Sequence, residues 1–201
     1  MDGTCPKHVT DCIEKANGEP LEVYIDSGGG DIFAGSAIYS ALRSYKGTVN
    51  IHVVGLAASA ASVIACAGKS DIAPTAMVMV HNVSACANGD YHDMDKTSET
   101  LQKANKAIAA AYTEKTGMSE AEALELMDRE TGLPAKEAVE KGLIDKIADN
   151  NNLQLAASLS NLLPLSAVNK LKNMIKAPNN DENSSDFLMA KLKLLKLKGG
   201  K

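Results

Sequence analysis

Apolar and polar residues alternate through LEVYID (21–26), so that Leu21, Val23 and Ile25 share one side, and three glycines follow. Alternation with a period of two that closes on glycine predicts a strand ending in a tight loop. The period then lengthens. In FAGSAIYSALRSY the positions Ala34, Ala37, Ile38, Ala41, Leu42 and Tyr45 recur every three or four residues, which predicts a helix with one apolar face. VNIHVVG predicts a second strand, SAASVIACA a short helix capped by Gly68, and AMVMVH a third strand. Two rounds of strand and helix within about 60 residues predict an α/β layer around a largely parallel sheet.

The helical period returns further on. Residues 93–116 place Leu101, Ala104, Ile108, Ala111 and Tyr112 on one side and stop at Gly117. Ser119 and Glu122 match a capping box, and Pro134 with Gly142 brackets another helix in the usual order of proline first and glycine last. No internal repeat is evident.

Composition adds bounds. A chain of 201 residues that is 45% hydrophobic can bury the core of one domain with an appendage. Its apolar runs break well before the roughly 18 residues a membrane span needs, and no leader with a cleavage site opens it, so a soluble, cytoplasmic protein is expected. Cys5, Cys12, Cys66 and Cys86 form neither a CxxC pair nor a regular framework and read as reduced structural thiols. The net charge of −4 argues against a nucleic-acid partner. From Asn169 onward eight lysines stand against Asp181, Glu182 and Asp186, a balance of +5, which leaves −9 on the rest of the chain. The expected organisation is therefore a folded domain over 1–150 and an extension over 151–201. Within that extension, APNNDENSSD (177–186) reads as a linker. The basic tail, 187–201, suits an amphipathic helix, an edge strand or a solvated segment binding an acidic partner.

Candidate chemistry gathers where strands feed helices, because loops there present backbone N–H groups at helix N-termini. Gly28, Gly29 and Gly30 leave amides unshielded for a developing oxyanion. Ser59 opens the short helix after HVVGLAA, and His81 closes the strand VMVH within reach of a neighbouring loop as a general base. Each has a plainer reading alone: Ser59 as an N-cap, His81 as a structural histidine, the glycines as an ordinary turn. Ser62 competes for the nucleophile's role one turn further along the same helix. Together, serine, histidine and amide donors are the parts of acyl transfer.

The stretches YIDSGGGDIFAGSAIYSAL, VVGLAASAASVIACAG, APTAMVMVHN and LPAKEAVEKGLID resemble, in the same order over about residues 6–148, the signature segments of the ClpP serine peptidase family, and of its phage-encoded branch in particular. The resemblance implies a ClpP/crotonase-type α/β fold, a spiral of β-β-α repeats with a handle helix. It implies Ser59 as nucleophile, His81 as general base, Gly30 and Ala60 as oxyanion donors, and Gly29 and Asp31 as substrate-binding positions, with no metal or cofactor. Counting back from EAVEKGLID, the family's acid falls on Glu130, with Asp128 as the alternative; either carboxylate can orient a histidine. Gly28 stands where the family often has proline, and the proline that often follows the histidine is absent. The chain begins within a first amphipathic helix, PKHVTDCIEKANG, without the upstream strand and axial loop the family leads one to expect. Implied partners are a polypeptide substrate, further copies of the chain in a heptameric ring or two stacked rings, and an AAA+ unfoldase or a phage capsid or scaffold protein. Two other readings remain: a non-catalytic assembly module of a phage particle, and a crotonase-type acyl-CoA binder.

Overall fold

The computed structural model describes residues 4–148; the expected linker and basic tail lie outside the described residues. Twelve elements follow in order: α1 (Pro6–Ala16), β1 (Leu21–Ser27), α2 (Ile32–Arg43), β2 (Val49–Ala58), α3 (Ala60–Ala65), β3 (Lys69–Ile72), β4 (Met77–Val80), α4 (Tyr91–Thr116), α5 (Glu120–Asp128), β5 (Thr131–Pro134), α6 (Ala135–Glu140) and β6 (Lys146–Ile147). This is the mixed α/β architecture expected from the alternating periods.

β2 is the axis. β1 runs parallel along one side of it, while β3 and β4 share the other side, β3 beside Asn50–Val53 and β4 beside Leu56–Ala58. β6 extends the sheet in parallel beyond β3, and β5 closes the other end antiparallel to β4. Inward-facing Ile51, Val53, Ile72, Val78, Val80 and Leu133 are all but fully buried and form the layer against which the helices pack. α2 and α3 meet closely because Gly35 has no side chain: a Cβ there would stand 2.8 Å from that of Ala60. α4 buries only its C-terminal half, through Ile108, Ala109, Ala111 and Tyr112, and ends at left-handed Gly117.

Local details depart from expectation in places. α3 ends at Cys66 in a right-handed conformation rather than at a glycine cap, and Gly68 instead gives room to Val49. The four cysteines are free; Cys66 is buried, which pushes its thiol up to about 12, while Cys12 and Cys86 are exposed. No helix among the described residues is long and apolar enough to cross a membrane.

The outward side of the sheet carries a polar cluster. His52 Nδ1 lies 2.8 Å from Asp71 Oδ1 and its Nε2 lies 2.6 Å from Glu22 Oε2, with the Tyr24 ring stacked at 4.8 Å. Both ring nitrogens face carboxylates, so both must donate, and the fold favours the imidazolium. Burial by itself lowers the His52 pKa, but the two carboxylates outweigh it and hold the group above its ordinary 6.5. The hydrogen bond from His52 holds Glu22 below its ordinary 4.5. The histidine's contribution to stability is thus complete below pH 6.5 and lost as pH rises through its folded value. That of Glu22 is complete above pH 4.5 and lost as pH falls through its folded value. Unfolding midpoints scanned over pH are expected to decline on the alkaline side of this window, and His52→Gln to flatten that decline. A variant that keeps the parent's profile would show that the cluster contributes nothing.

Candidate active site

Ser59 is the single residue between β2 and α3, with φ 55° and ψ −126°. A positive φ at a residue with a side chain costs of order 1–3 kcal/mol and persists only where the surroundings over-determine it. Here they do. The Ser59 N–H donates to the Met79 carbonyl at 3.0 Å, and its own carbonyl accepts from Ser62 N at 2.9 Å and from Ser62 Oγ at 2.6 Å. The Ser59 hydroxyl makes no capping bond, so the plain N-cap reading fails on geometry. Ser62, by contrast, is 1% exposed, and its hydroxyl is bonded to Ser59 O and to Tyr112 Oη.

Sheet register brings the other candidates to the same edge. β2 and β4 pair in parallel with Ala58 beside Met79, which leaves Ser59 and His81 at the C-terminal ends of adjacent strands. Both line one cavity of about 310 Å³, together with Gly30, Asp31, Phe33, Leu101, Ile108 and others. β4 and β5 pair antiparallel, with Val80 opposite Thr131. The ladder ends there: His81 follows β4 and Glu130 precedes β5, so the two flank the last pair at the same end of the sheet. Glu130 is exposed and left-handed at φ 48°. Asp128 is otherwise engaged, accepting a 2.8 Å hydrogen bond from Asn82 Nδ2, whose own Oδ1 is buried without a partner among the described residues.

The glycine loop lies over the serine. Gly29 donates its N–H to Ser27 Oγ at 3.1 Å, so the loop is braced from within. The N–H groups of Gly30 and Ala60 enter no backbone hydrogen bond among the described residues, and that of Ala60 is one of the orphan donors of a helix start. Asp31 lines the cavity and caps α2, its Oδ1 accepting from Ala34 N at 2.7 Å. Among the described residues no group of three His, Cys, Asp or Glu side chains is placed to hold a metal ion. Neither Asn82 nor Tyr112 stands out in the sequence as a site residue; Tyr112 fits the apolar face of its helix, and its one polar atom gives no period.

A family model described as Clp protease matches residues 12–151. Over 135 residues the chain is 36% identical to ATP-dependent Clp protease proteolytic subunit 2 of Treponema denticola, an alignment covering 66% of this chain and 68% of that protein. It is 34% identical over 131 residues to the ATP-dependent Clp protease proteolytic subunit of Chlorella vulgaris, covering 64% and 65%. For the protein of that name from Deinococcus radiodurans the values are 31% over 134 residues, 65% and 66%. The matched stretch is thus about two-thirds of each relative's length.

Close approach at Gly29 yields a test of the loop. A Cβ there would stand 2.6 Å from Ser59 Cβ and 2.7 Å from the Ala58 carbonyl, on a backbone with φ 96°. Gly29→Ala is expected to lower unfolding free energy in urea by about 1–3 kcal/mol. At Gly28, where a Cβ meets nothing within 4 Å, the same change should stay within about 0.5 kcal/mol. Equal losses at the two positions would contradict this packing.

Proposed function

Since the chain belongs to the Clp protease family, we propose that it is a serine endopeptidase that cleaves peptide bonds through an acyl-enzyme at Ser59. The observation that carries this reading is the strained turn at Ser59, which leaves an uncapped hydroxyl in the same cavity as His81. Ser59 Oγ attacks the scissile carbonyl while His81 takes its proton. The oxyanion that forms is met by the N–H groups of Gly30 and Ala60, at the start of α3. Collapse expels the amine, which leaves with the proton held by His81, and a water activated by the same imidazole then releases the acyl group. Glu130 orients His81 and balances the imidazolium, a role supported by its place next to Thr131, the last β5 residue paired with β4, whose strand His81 follows. Gly29, packed against Ser59, and Asp31, in the cavity wall, border the path of the substrate backbone, and Phe33, Leu101 and Ile108 favour an apolar side chain beside the scissile bond.

The natural substrates in this reading are unfolded chains or phage structural proteins, cut inside a ring of copies of this chain, heptameric and single or stacked. Two routes of delivery fit: threading by an AAA+ unfoldase, as the ATP-dependent relatives' name suggests, or direct cleavage of capsid or scaffold proteins in a phage-branch enzyme.

Fluorophosphonate labelling with peptide mapping tests the nucleophile: the adduct is expected on Ser59, and an adduct on Ser62 would refute the assignment. Ser59→Ala should lower peptidase kcat by about 10⁴-fold or more. A chain that assembles while Ser59 stays unlabelled would favour the non-catalytic assembly module. For the acid, Glu130→Gln is expected to reduce kcat by about 10²–10⁴-fold, against a much smaller loss for Asp128→Asn. The reverse order would make Asp128 the third member.

A further inference from the structure

The carbonyl of Ser59 is the end of a buried chain of hydroxyls. Ser62 Oγ lies 2.6 Å from it, and Tyr112 Oη lies 2.8 Å from Ser62 Oγ. The two side chains are 1% and 2% exposed. Proton direction follows from counting. Ser62 has one hydroxyl hydrogen, which it gives to the Ser59 carbonyl, so the contact with Tyr112 is made by the tyrosine O–H donating to Ser62 Oγ. Burial, partly offset by the contact with Ser62, raises the Tyr112 pKa, so the phenol keeps its proton throughout any working range. From α4, then, a single donor reaches through α3 to the main chain of the residue between β2 and α3.

On the reading that Ser59 is the nucleophile, we infer that Tyr112 and Ser62 form a positioning relay that holds the Ser59 main chain in its strained turn and so sets the reactivity of its hydroxyl. The turn has three other holds, the N–H bond to Met79 and the amides of Ser62 and Val63 on its carbonyl, none of which comes from α4. Chained hydroxyls polarise one another, so the bond to the Ser59 carbonyl is strengthened by the tyrosine behind it. Neither hydroxyl needs to touch the substrate. The tyrosine ring forms part of the cavity wall while its oxygen is turned to Ser62.

The two ends of the relay differ in what their loss does. Tyr112→Phe removes one oxygen from a packed ring and leaves Ser62 still bonded to the Ser59 carbonyl. Ser62→Ala breaks the path and also strands the tyrosine hydroxyl in the core, which costs stability as well. Tyr112→Phe is therefore the cleaner probe. A tyrosine of α2 that reaches the same stretch of α4 supplies a control: Tyr39 Oη donates to Glu114 Oε2 at 2.9 Å and makes no hydrogen bond to Ser59 or Ser62 among the described residues.

The experiment is the rate of fluorophosphonate labelling at Ser59, followed by intact mass with thermal midpoints in parallel, in the full chain. Tyr112→Phe and Ser62→Ala are each expected to slow the saturating labelling rate by roughly 3- to 10-fold, the worth of one neutral hydrogen bond, with little change in the half-saturating probe concentration. The double variant should be no slower than Ser62→Ala alone, because the tyrosine reaches Ser59 only through Ser62. Tyr39→Phe should label at the parent's rate. The relay is overturned if the parent labels at Ser59 while Tyr112→Phe keeps the parent's rate, if the two losses multiply in the double variant, or if Tyr39→Phe slows labelling equally. A parent that does not label at Ser59 overturns the peptidase reading, and the relay with it.

Discussion

What gathers at the candidate site depends on one backbone turn. Between the last residue of β2 and the first of α3 the chain reverses its handedness for a single residue, and that residue is Ser59. A side chain with positive φ is costly, so the turn exists only because everything around it is small or hydrogen-bonded to it. Gly29 approaches to within contact distance on one side, and the buried run Ala57, Ala60, Ala61 and Val63 packs tightly around it. A larger residue at any of these points would push the loop, the helix or the strand away from the serine. The scarcity of bulk in GLAASAASVIACAG is thus a requirement of the turn rather than a low-information stretch.

Sheet register does the remaining alignment. Parallel pairing of β2 with β4 brings the ends of both strands to the same edge, which is where parallel strands present their helix-feeding loops. Only an antiparallel neighbour can return a second chain segment to that same edge without a crossover, and β5 is that neighbour. The polarity change between β4 and β5 is therefore what brings a residue far along the chain, Glu130, to the same end of the sheet as His81. On the opposite half of the same strand axis, β3 and β6 continue in parallel and carry no candidate chemistry at their ends. Their outward face instead joins β1, β2 and β3 through Glu22, His52 and Asp71.

The legible parts of this molecule were those with a local period or a local cap. β1, β2, α2 and the capping box of α5 follow from spacing alone, as do Ser59 and His81 as residues at strand ends. β3, β5 and β6 were not legible. KSDI has two buried positions, TGLP holds a glycine and a proline, and β6 is two residues long, so each is a strand only because of the neighbour it pairs with. The placing of Glu130 relative to β5 was illegible for the same reason: it depends on where TGLP starts to pair, which spacing cannot reveal. Gly68 misled because a glycine after a helix reads as a cap, whereas here its value is the space it leaves Val49. Tyr112 went unread because a hydroxyl at the tip of a core residue leaves the apolar pattern intact.

A lone phenol can hold a distant carbonyl only if the helix that carries it does not slide, and the residues just past Tyr112 fix that helix from two directions. Glu114 binds Tyr39 Oη and Arg43 on α2, but both partners of the ion pair are about half exposed, and such pairs contribute little. Lys115 is different. Its side chain is only 10% exposed, and its Nζ meets the Gly68 carbonyl at 2.9 Å and both oxygens of Asp145 at 2.7 Å. Asp145 in turn accepts from Ser70 N at 2.7 Å, and its pKa is lowered by Lys115 and Ser70 against the opposing effect of burial. A shielded ammonium with three acceptors resists displacement far more than a solvated pair, since losing one partner would leave a charge without compensation. The anchor of α4 is therefore Lys115, tied to the chain that follows α3 and to the start of β3. The phenol's helix is tied at the start of β3, beside the first half of β2, and the turn it reaches follows the last residue of β2, so both are referred to one central strand across the 2.8 Å contact.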